Sequence, residues 1–217
     1  EGEIIAELHD EIQQELISEI SSEELIDIIS DLELDEIVDI LQALPEQKTE
    51  NILSVMSRRD RQRIKEVLEY PEDSAGGLMN TDIISVRPKH SLEVVMRYLR
   101  AQRELPKNTD QIFVVSRENK FLGSLPISSI LVSDPSLNVR ELMETEIKPL
   151  EATLDDKNVS RLFEQNDWLS APVIDDQSKL IGRITIDDVV DVIMEDADQN
   201  FLGMAGVAED TLSLIHI

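Results

Sequence analysis

The densest chemistry in the chain lies in ITIDDVVDVIMEDADQN, Ile184 to Asn200, which holds six acidic residues and no Lys or Arg. Read at helical spacing, Asp188, Asp191, Glu195 and Asp198 fall at i, i+3, i+7 and i+10, so their carboxylates line one face. Neighbours about 5–6 Å apart on such a face repel by about 0.7 kcal/mol in water, and by more where solvent is excluded. A stripe of this kind suits a hard divalent cation, which takes oxygen ligands. On spacing alone it suits a solvated helix face equally well. Val189, Val190, Val192, Ile193 and Ala197 form the other face and give the helix a side to bury.

The composition bounds what this stripe can serve. The chain has 217 residues, enough for one or two domains, and 46 acidic against 20 basic residues give a formal charge of −26. That charge argues against nucleic acid, which needs clustered Lys and Arg, and against an anionic membrane surface. It is compatible with a cation partner, or with solubility alone. Aromatics are only 3%, yet Ile, Leu and Val are abundant and periodic, which is the signature of a folded chain. With no cysteine there is no disulfide framework and no thiolate chemistry. No apolar run approaches the roughly 18 residues that a bilayer requires, and no signal-peptide pattern opens the chain. There is no P-loop, GxSxG, HExxH or GxGxxG, and His9, His90 and His216 are scattered, so the expectation is a protein that is not an enzyme.

Two unlike repeats organise the elements. In residues 1–70 the apolar positions recur every 12 residues: Ile4, Leu16, Ile28, Ile40, Ile52 and Ile64 in one register, and Leu8, Ile20, Leu32, Leu44, Met56 and Leu68 in another. Within a unit the spacing i, i+1, i+4 marks a helix face, and a continuous helix would turn that face by about 120° per unit, so the helices must break. Ser21-Ser22 ahead of Glu24 resembles a capping box, Pro45 suits the first helical position, and Ser57 suits a cap. The prediction is short helices paired into hairpins and stacked as a superhelix of either hand.

The remainder repeats at an offset of 59, where IFVVSRENKFLGSLPISSIL (112–131) aligns with APVIDDQSKLIGRITIDDVV (171–190). LMNTDI (78–83) matches LMETEI (142–147) at 64, the difference being absorbed by the longer ELPKNTD segment, 104–110. Each copy reads as a leading strand, a helix capped by Ser91 or Asp155, two strands joined by a polar turn, and a second helix.

This β-α-β-β-α pair resembles a tandem CBS module. An acidic helical repeat running into YPEDSAGGLM (Tyr70–Met79) ahead of it resembles the cytosolic part of MgtE-type magnesium transporters. The fold class implied is α plus α/β, with an N domain at 1–70, a junction at 71–77, CBS domains at 78–140 and 141–200, and a tail at 201–217. The resemblance implies a cytosolic Mg²⁺-sensing and gating region, on the cytoplasmic face of the membrane. It further implies a homodimer through the CBS helices and a transmembrane pore domain elsewhere in the full-length chain. Bound Mg²⁺ would hold the assembly compact and favour pore closure.

Carried over position by position, the resemblance makes metal ligands of Asp35 and Asp39 on an N-domain helix, the Gly77 carbonyl, Asp155, Asp167, Asp188, Asp191 and Asp196. Gln199 and Asn200 are neutral where the family is usually acidic. Each position also has a plainer reading. Asp35 and Asp39 suit the first turn of a helix, Gly77 a turn with positive φ, Asp155 an N-cap, and Asp167 a turn. The Asp31–Asp35 stretch faintly suggests a calcium loop but lacks the central glycine. A rival reading is adenine-nucleotide sensing, with ATP or another adenine nucleotide as ligand. CBS sites of that type use Gly-x-x-Thr/Ser-x-x-Asp, intact here as Gly182, Thr185 and Asp188 and degraded in the first copy to Gly123, Pro126 and Ser129. A third reading, a purely structural solenoid with a CBS dimerisation module, predicts only ionic screening and no specific response to Mg²⁺.

Overall fold

The computed structural model describes residues 20–205 apart from 21, 30, 31, 33, 43 and 103, and within the helices it leaves aside the side chains of 22, 23, 27, 34, 35, 39, 46, 195, 196 and 198–205. Its first four helices are α1 (Ser22–Ile29), α2 (Leu34–Gln42), α3 (Glu46–Val55) and α4 (Arg58–Val67), which begin 12 residues apart. The sequence period is thus the helix period, and Ile40, Ile52 and Ile64, one step apart, are fully buried. Helix α1 packs on α3 and α2 on α4, as stacked two-helix units require.

The breaks follow from local chemistry. Ser57 caps α4: its Oγ accepts from the Asp60 N–H at 3.2 Å and donates to Asp60 Oδ2 at 2.6 Å. Pro45 stands one residue earlier than expected. It is the N-cap of α3 rather than its first helical residue, with φ −60° and ψ 140°. An N-cap needs an extended residue whose carbonyl starts the helical ladder, and the Pro45 oxygen accepts from Lys48 N at 2.8 Å. Ser21, the proposed cap of the first helix, lies outside the described residues.

Two three-stranded sheets follow. The first has order β1 (Ser85–Val86), β2 (Gln111–Val115), β3 (Phe121–Pro126); the second has β4 (Leu150–Glu151), β5 (Ser170–Ile174), β6 (Leu180–Thr185). In each, the short strand runs parallel and the hairpin antiparallel, with Val114 opposite Gly123 and Val173 opposite Gly182, and a register shift follows both pairs. Helices α5 (Leu92–Ala101), α6 (Ile127–Val132) and α7 (Val139–Leu142) accompany the first sheet, and α8 (Asp156–Asn166) and α9 (Ile186–Ala205) the second. The repeat partners Lys120 and Lys179 meet in a bridge. It is flanked by Phe121 N–H to Ser178 O and Leu180 N–H to Asn119 O, both 3.0 Å.

One expectation is corrected. LMNTDI and LMETEI are not strands of their own repeats. Asn80 exchanges backbone hydrogen bonds with Arg183 of β6 (2.8 and 2.9 Å), and Glu144 exchanges them with Ser124 of β3 (2.9 and 2.7 Å). Strands β3 and β6 are sheet edges, and each is covered by the leading segment of the other repeat. The two halves therefore interlock.

The junction locks the N domain to the second repeat. Ala75 N–H donates to Leu154 O (2.7 Å), Gly76 N–H to Ala152 O (2.8 Å), and Asp156 N–H to Asp73 O (3.1 Å). One apolar core runs through this seam, taking Ile64 and Val67 from α4, Ala75 and Met79 from the junction, and Leu150, Val159, Phe163 and Val189 from the second repeat. A separate core of Ile84, Leu92, Ile112, Leu125, Ile130 and Val139 supports the first sheet.

Candidate metal and nucleotide sites

Strand β6 runs directly into α9, and the joint is built from the predicted site residues. The Thr185 N–H donates to Asp188 Oδ2 at 3.0 Å; its hydroxyl lies 2.9 Å from the same oxygen and also bonds Asp187. A carboxylate three residues into a helix satisfies a free N–H and complements the positive end of the helix dipole. Asp191 is exposed one turn further on. Asp188 and Asp196 are about 12 Å apart along the axis at 1.5 Å per residue, so one ion does not take both. The helix backbone carries Asp196, whose side chain lies outside the description.

The apolar side of α9 divides in two. Val189 and Val192 are buried, whereas Val190, Ile193 and Met194 are 43%, 47% and 61% exposed. The single buried face expected from the sequence is therefore half of what is there. A stripe this wide covers more arc than one neighbouring element can reach, and the second half stands uncovered beside Leu131 and Val132 of α6 in the exposed apolar set.

Asp155 and Asp167 cap the two ends of α8. Asp155 Oδ1 accepts from the Asn158 N–H at 2.9 Å. That backbone hydrogen bond, and then the Asn158 side-chain amide, hold its carboxyl below the usual range for aspartate. Asp167 is the C-cap, left-handed at φ 52° and ψ 41°, with its N–H on Phe163 O. Trp168 then meets the Phe163 ring edge-on at 5.7 Å. The two caps are about 18 Å apart along the helix and belong to different places.

Gly77 is corrected in its reason. Neither Gly76 nor Gly77 has a positive φ; among the described residues that glycine is Gly123. What excludes a side chain at 77 is crowding, since a Cβ there would stand 2.5 Å from the carbonyl oxygens of both Pro71 and Glu72. The antiparallel run of 74–76 along 152–155 brings the neighbourhood of Gly77 against that of Asp155, two candidates 78 residues apart in sequence. Asp35 and Asp39 fall on α2, with their side chains outside the description.

Among the described residues no group of three or more His, Cys, Asp or Glu side chains is arranged to hold a metal ion. The donor set is nevertheless all oxygen and supplies one or two carboxylates per place. That matches Mg²⁺, which keeps most of its waters, better than a closed protein cage. A cleft of about 940 Å³ between the N domain and the first sheet is lined by none of the predicted ligands.

Sequence reading missed two contacts. Arg63 of α4 pairs with Asp82 at 2.6 Å and bonds Thr81 Oγ1 at 2.9 Å, tying the N domain to the first leading segment. Arg183 and Asn108 bind the 104–110 segment to the Thr185 joint. The length mismatch at 104–110 was visible in the repeat alignment, but not what anchors it. Among the described residues no helix is long and apolar enough to cross a membrane.

Comparison with known proteins bears on these parts. The MgtE intracellular N domain matches residues 1–73, and the CBS domain matches 75–134 and 139–195. The magnesium transporter MgtE of Thermus thermophilus is 31% identical over 149 residues, which cover 69% of this chain and 33% of that one. The chain therefore spans about a third of the length of that relative. The crystal structure of the cytosolic domain of the Mg²⁺ channel MgtE in complex with ATP superposes with a TM-score of 0.82 at 30% identity, covering 88% of this chain and 78% of that one. The soluble part of a magnesium transporter superposes with a TM-score of 0.76 at 23% identity, over 90% of this chain and 87% of that one, a likeness of fold alone.

Proposed function

The chain belongs to the MgtE family, as an intracellular N domain followed by tandem CBS domains, and from that premise we propose that it is the cytosolic Mg²⁺-sensing and gating region of a magnesium transporter. The observation that carries the reading is the juxtaposition of parts. An acidic helical N domain is joined through one continuous core to a CBS pair whose last helix bears Asp188 and Asp191 on its surface. Asp188 and Asp191 would hold one hydrated Mg²⁺, with Asp35 and Asp39 as the N-domain contribution. The Gly77 carbonyl and Asp155 would serve a second place, and Asp167 and Asp196 others. Hard divalent cations favour such sites, and binding shared between surfaces is weak enough to follow a millimolar ion. Without the ion, carboxylate repulsion favours the extended arrangement.

The exposed apolar residues fit a homodimer. Leu131 and Val190 are repeat partners at the 59-residue offset, so the face they share with Val132, Ile193 and Met194 has the self-complementary character of a two-fold interface. Association with a membrane pore in the same full-length chain completes the proposal. Its test is calorimetric titration with MgCl₂ against NaCl at matched ionic strength. Saturable heat with Mg²⁺ alone, reduced in Asp191→Ala, is the expected result; identical heats from the two salts exclude the sensor.

A second reading, adenine-nucleotide binding in the CBS pair, is supported by the ATP complex of the similar cytosolic domain. It is also supported by the intact run of Gly182, Thr185 and Asp188. As they stand these residues do not present themselves to a phosphate, because the Thr185 hydroxyl is engaged by Asp187 and Asp188.

A further inference from the structure

The two CBS repeats differ at one point in two ways. The first repeat carries the longer connection, 104–110, and the second carries Arg183 where the 59-residue offset puts Ser124 in the first. The fold brings these departures together. Arg183 is only 4% exposed, and its guanidinium donates to the carbonyl oxygens of Asn108, at 3.2 Å, and Lys107. Its Nε has no hydrogen-bond partner among the described residues. Asn108 sits in the left-handed region, φ 51°, which asparagine tolerates, and its side-chain amide donates to Asp187 Oδ2 at 2.7 Å. Asp187 in turn accepts from the Thr185 hydroxyl. The segment is closed on itself by Thr109 Oγ1 to Pro106 O, 2.5 Å, and anchored at its end by Ser170 Oγ to Asp110 Oδ1, 2.5 Å.

A buried guanidinium is costly to leave unpaired, so Arg183 and the loop backbone hold each other in place. The loop thereby engages the strand-to-helix joint that contains Thr185 and Asp188. We propose that residues 104–110 are a built-in lid on this polar pocket of the second CBS repeat. It is latched by Asn108 on Asp187 and by Arg183 on the loop carbonyls, and the pocket admits a ligand only when the latch is released. The first repeat needs no such lid, because Pro126 and Ser129 replace the threonine and aspartate there. That the ligand is an adenine nucleotide rests on the second reading above; the lid itself does not.

The chain contains no cysteine, so a single Thr185→Cys thiol reports on the pocket. Its rate of reaction with a small maleimide is measured in the full chain, with and without Asn108→Ala. Opening the latch is expected to raise the rate about tenfold, the factor that loss of one hydrogen bond to a charged acceptor sets. Tryptic cleavage after Lys107 in Asn108→Ala alone, with Thr185 native, is expected to accelerate in parallel. Unchanged maleimide and trypsin rates overturn the lid. Millimolar ATP then separates the two ideas. Protection of the thiol in the opened variant supports both, whereas faster labelling with no protection keeps the lid and removes the nucleotide.

Discussion

Asp188 is asked to do two things, to cap α9 and to hold Mg²⁺, and two substitutions separate them. Alanine removes the carboxylate together with the acceptor of the Thr185 N–H (3.0 Å) and hydroxyl (2.9 Å). Asparagine keeps an amide oxygen for those donors and loses only the charge. Losing a cap costs about 1 kcal/mol, and losing a negative charge in the first helical turn costs about 0.3–1 kcal/mol. For a chain of 217 residues, each kcal/mol lowers Tm by about 2–4 °C. In the absence of Mg²⁺, Asp188→Ala should therefore melt about 3–8 °C below the parent and Asp188→Asn about 1–4 °C below it. Saturating Mg²⁺ at 100-fold over Kd adds about 2.7 kcal/mol to the parent, or about 5–11 °C. Both variants should lose most of that increment despite their different starting points. Circular dichroism melts with MgCl₂ or ionic-strength-matched NaCl read all of this directly. An Asn variant that keeps the parental Mg²⁺ increment refutes the ligand role, and an Ala variant that melts with the parent in NaCl refutes the capping geometry.

Other consequences are as direct. Gly77→Ala forces a methyl group to within 2.5 Å of two backbone carbonyls, so it should cost about 1–3 kcal/mol, seen as a lowered Tm. Gly182→Ala, which meets the flexible Met79 side chain instead, should be the milder of the two. The Asp155 carboxyl is held low by Asn158. Its contribution to stability is therefore complete above the ordinary aspartate range and is lost as pH falls through its depressed folded value. Carbon-detected titration should show Asp155 protonating below ordinary aspartates, and Asn158→Ala should bring it back up; equal midpoints in the two proteins contradict the hydrogen bonding. Val132→Asp, at a residue 87% exposed, should shift sedimentation toward monomer without changing the helix signal, whereas an unchanged sedimentation coefficient removes that face from the proposed interface.

How far the sequence reached depended on whether a feature was periodic. Ile40, Ile52 and Ile64 announced the N-domain helices because burial of one face recurs with every break. Lys120 and Lys179 announced the pseudo-symmetry and meet each other in the fold. The crossing of the leading segments was invisible, because self-similarity says that Asn80 and Glu144 are equivalent but not which sheet edge each one covers. The helical period of α9 located an apolar side without showing that Val189 and Val192 go inward while Val190 and Ile193 stay out. That division is set by what packs nearby. Gly77 was read as a matter of φ when its cause is two carbonyls contributed by residues five and six positions back. Arg183 carried a usable signal, a large cation where its repeat partner is Ser124, but its significance needed the loop it holds.

The central claim, that this acidic chain is closed by a divalent cation, is tested most directly by small-angle scattering across a Mg²⁺ titration with Na⁺ at matched ionic strength. The account predicts a radius of gyration that falls and saturates with Mg²⁺ and does not fall with Na⁺. A radius that stays constant, or that Na⁺ reduces equally, contradicts it and leaves the acidic face of α9 as a solvated surface.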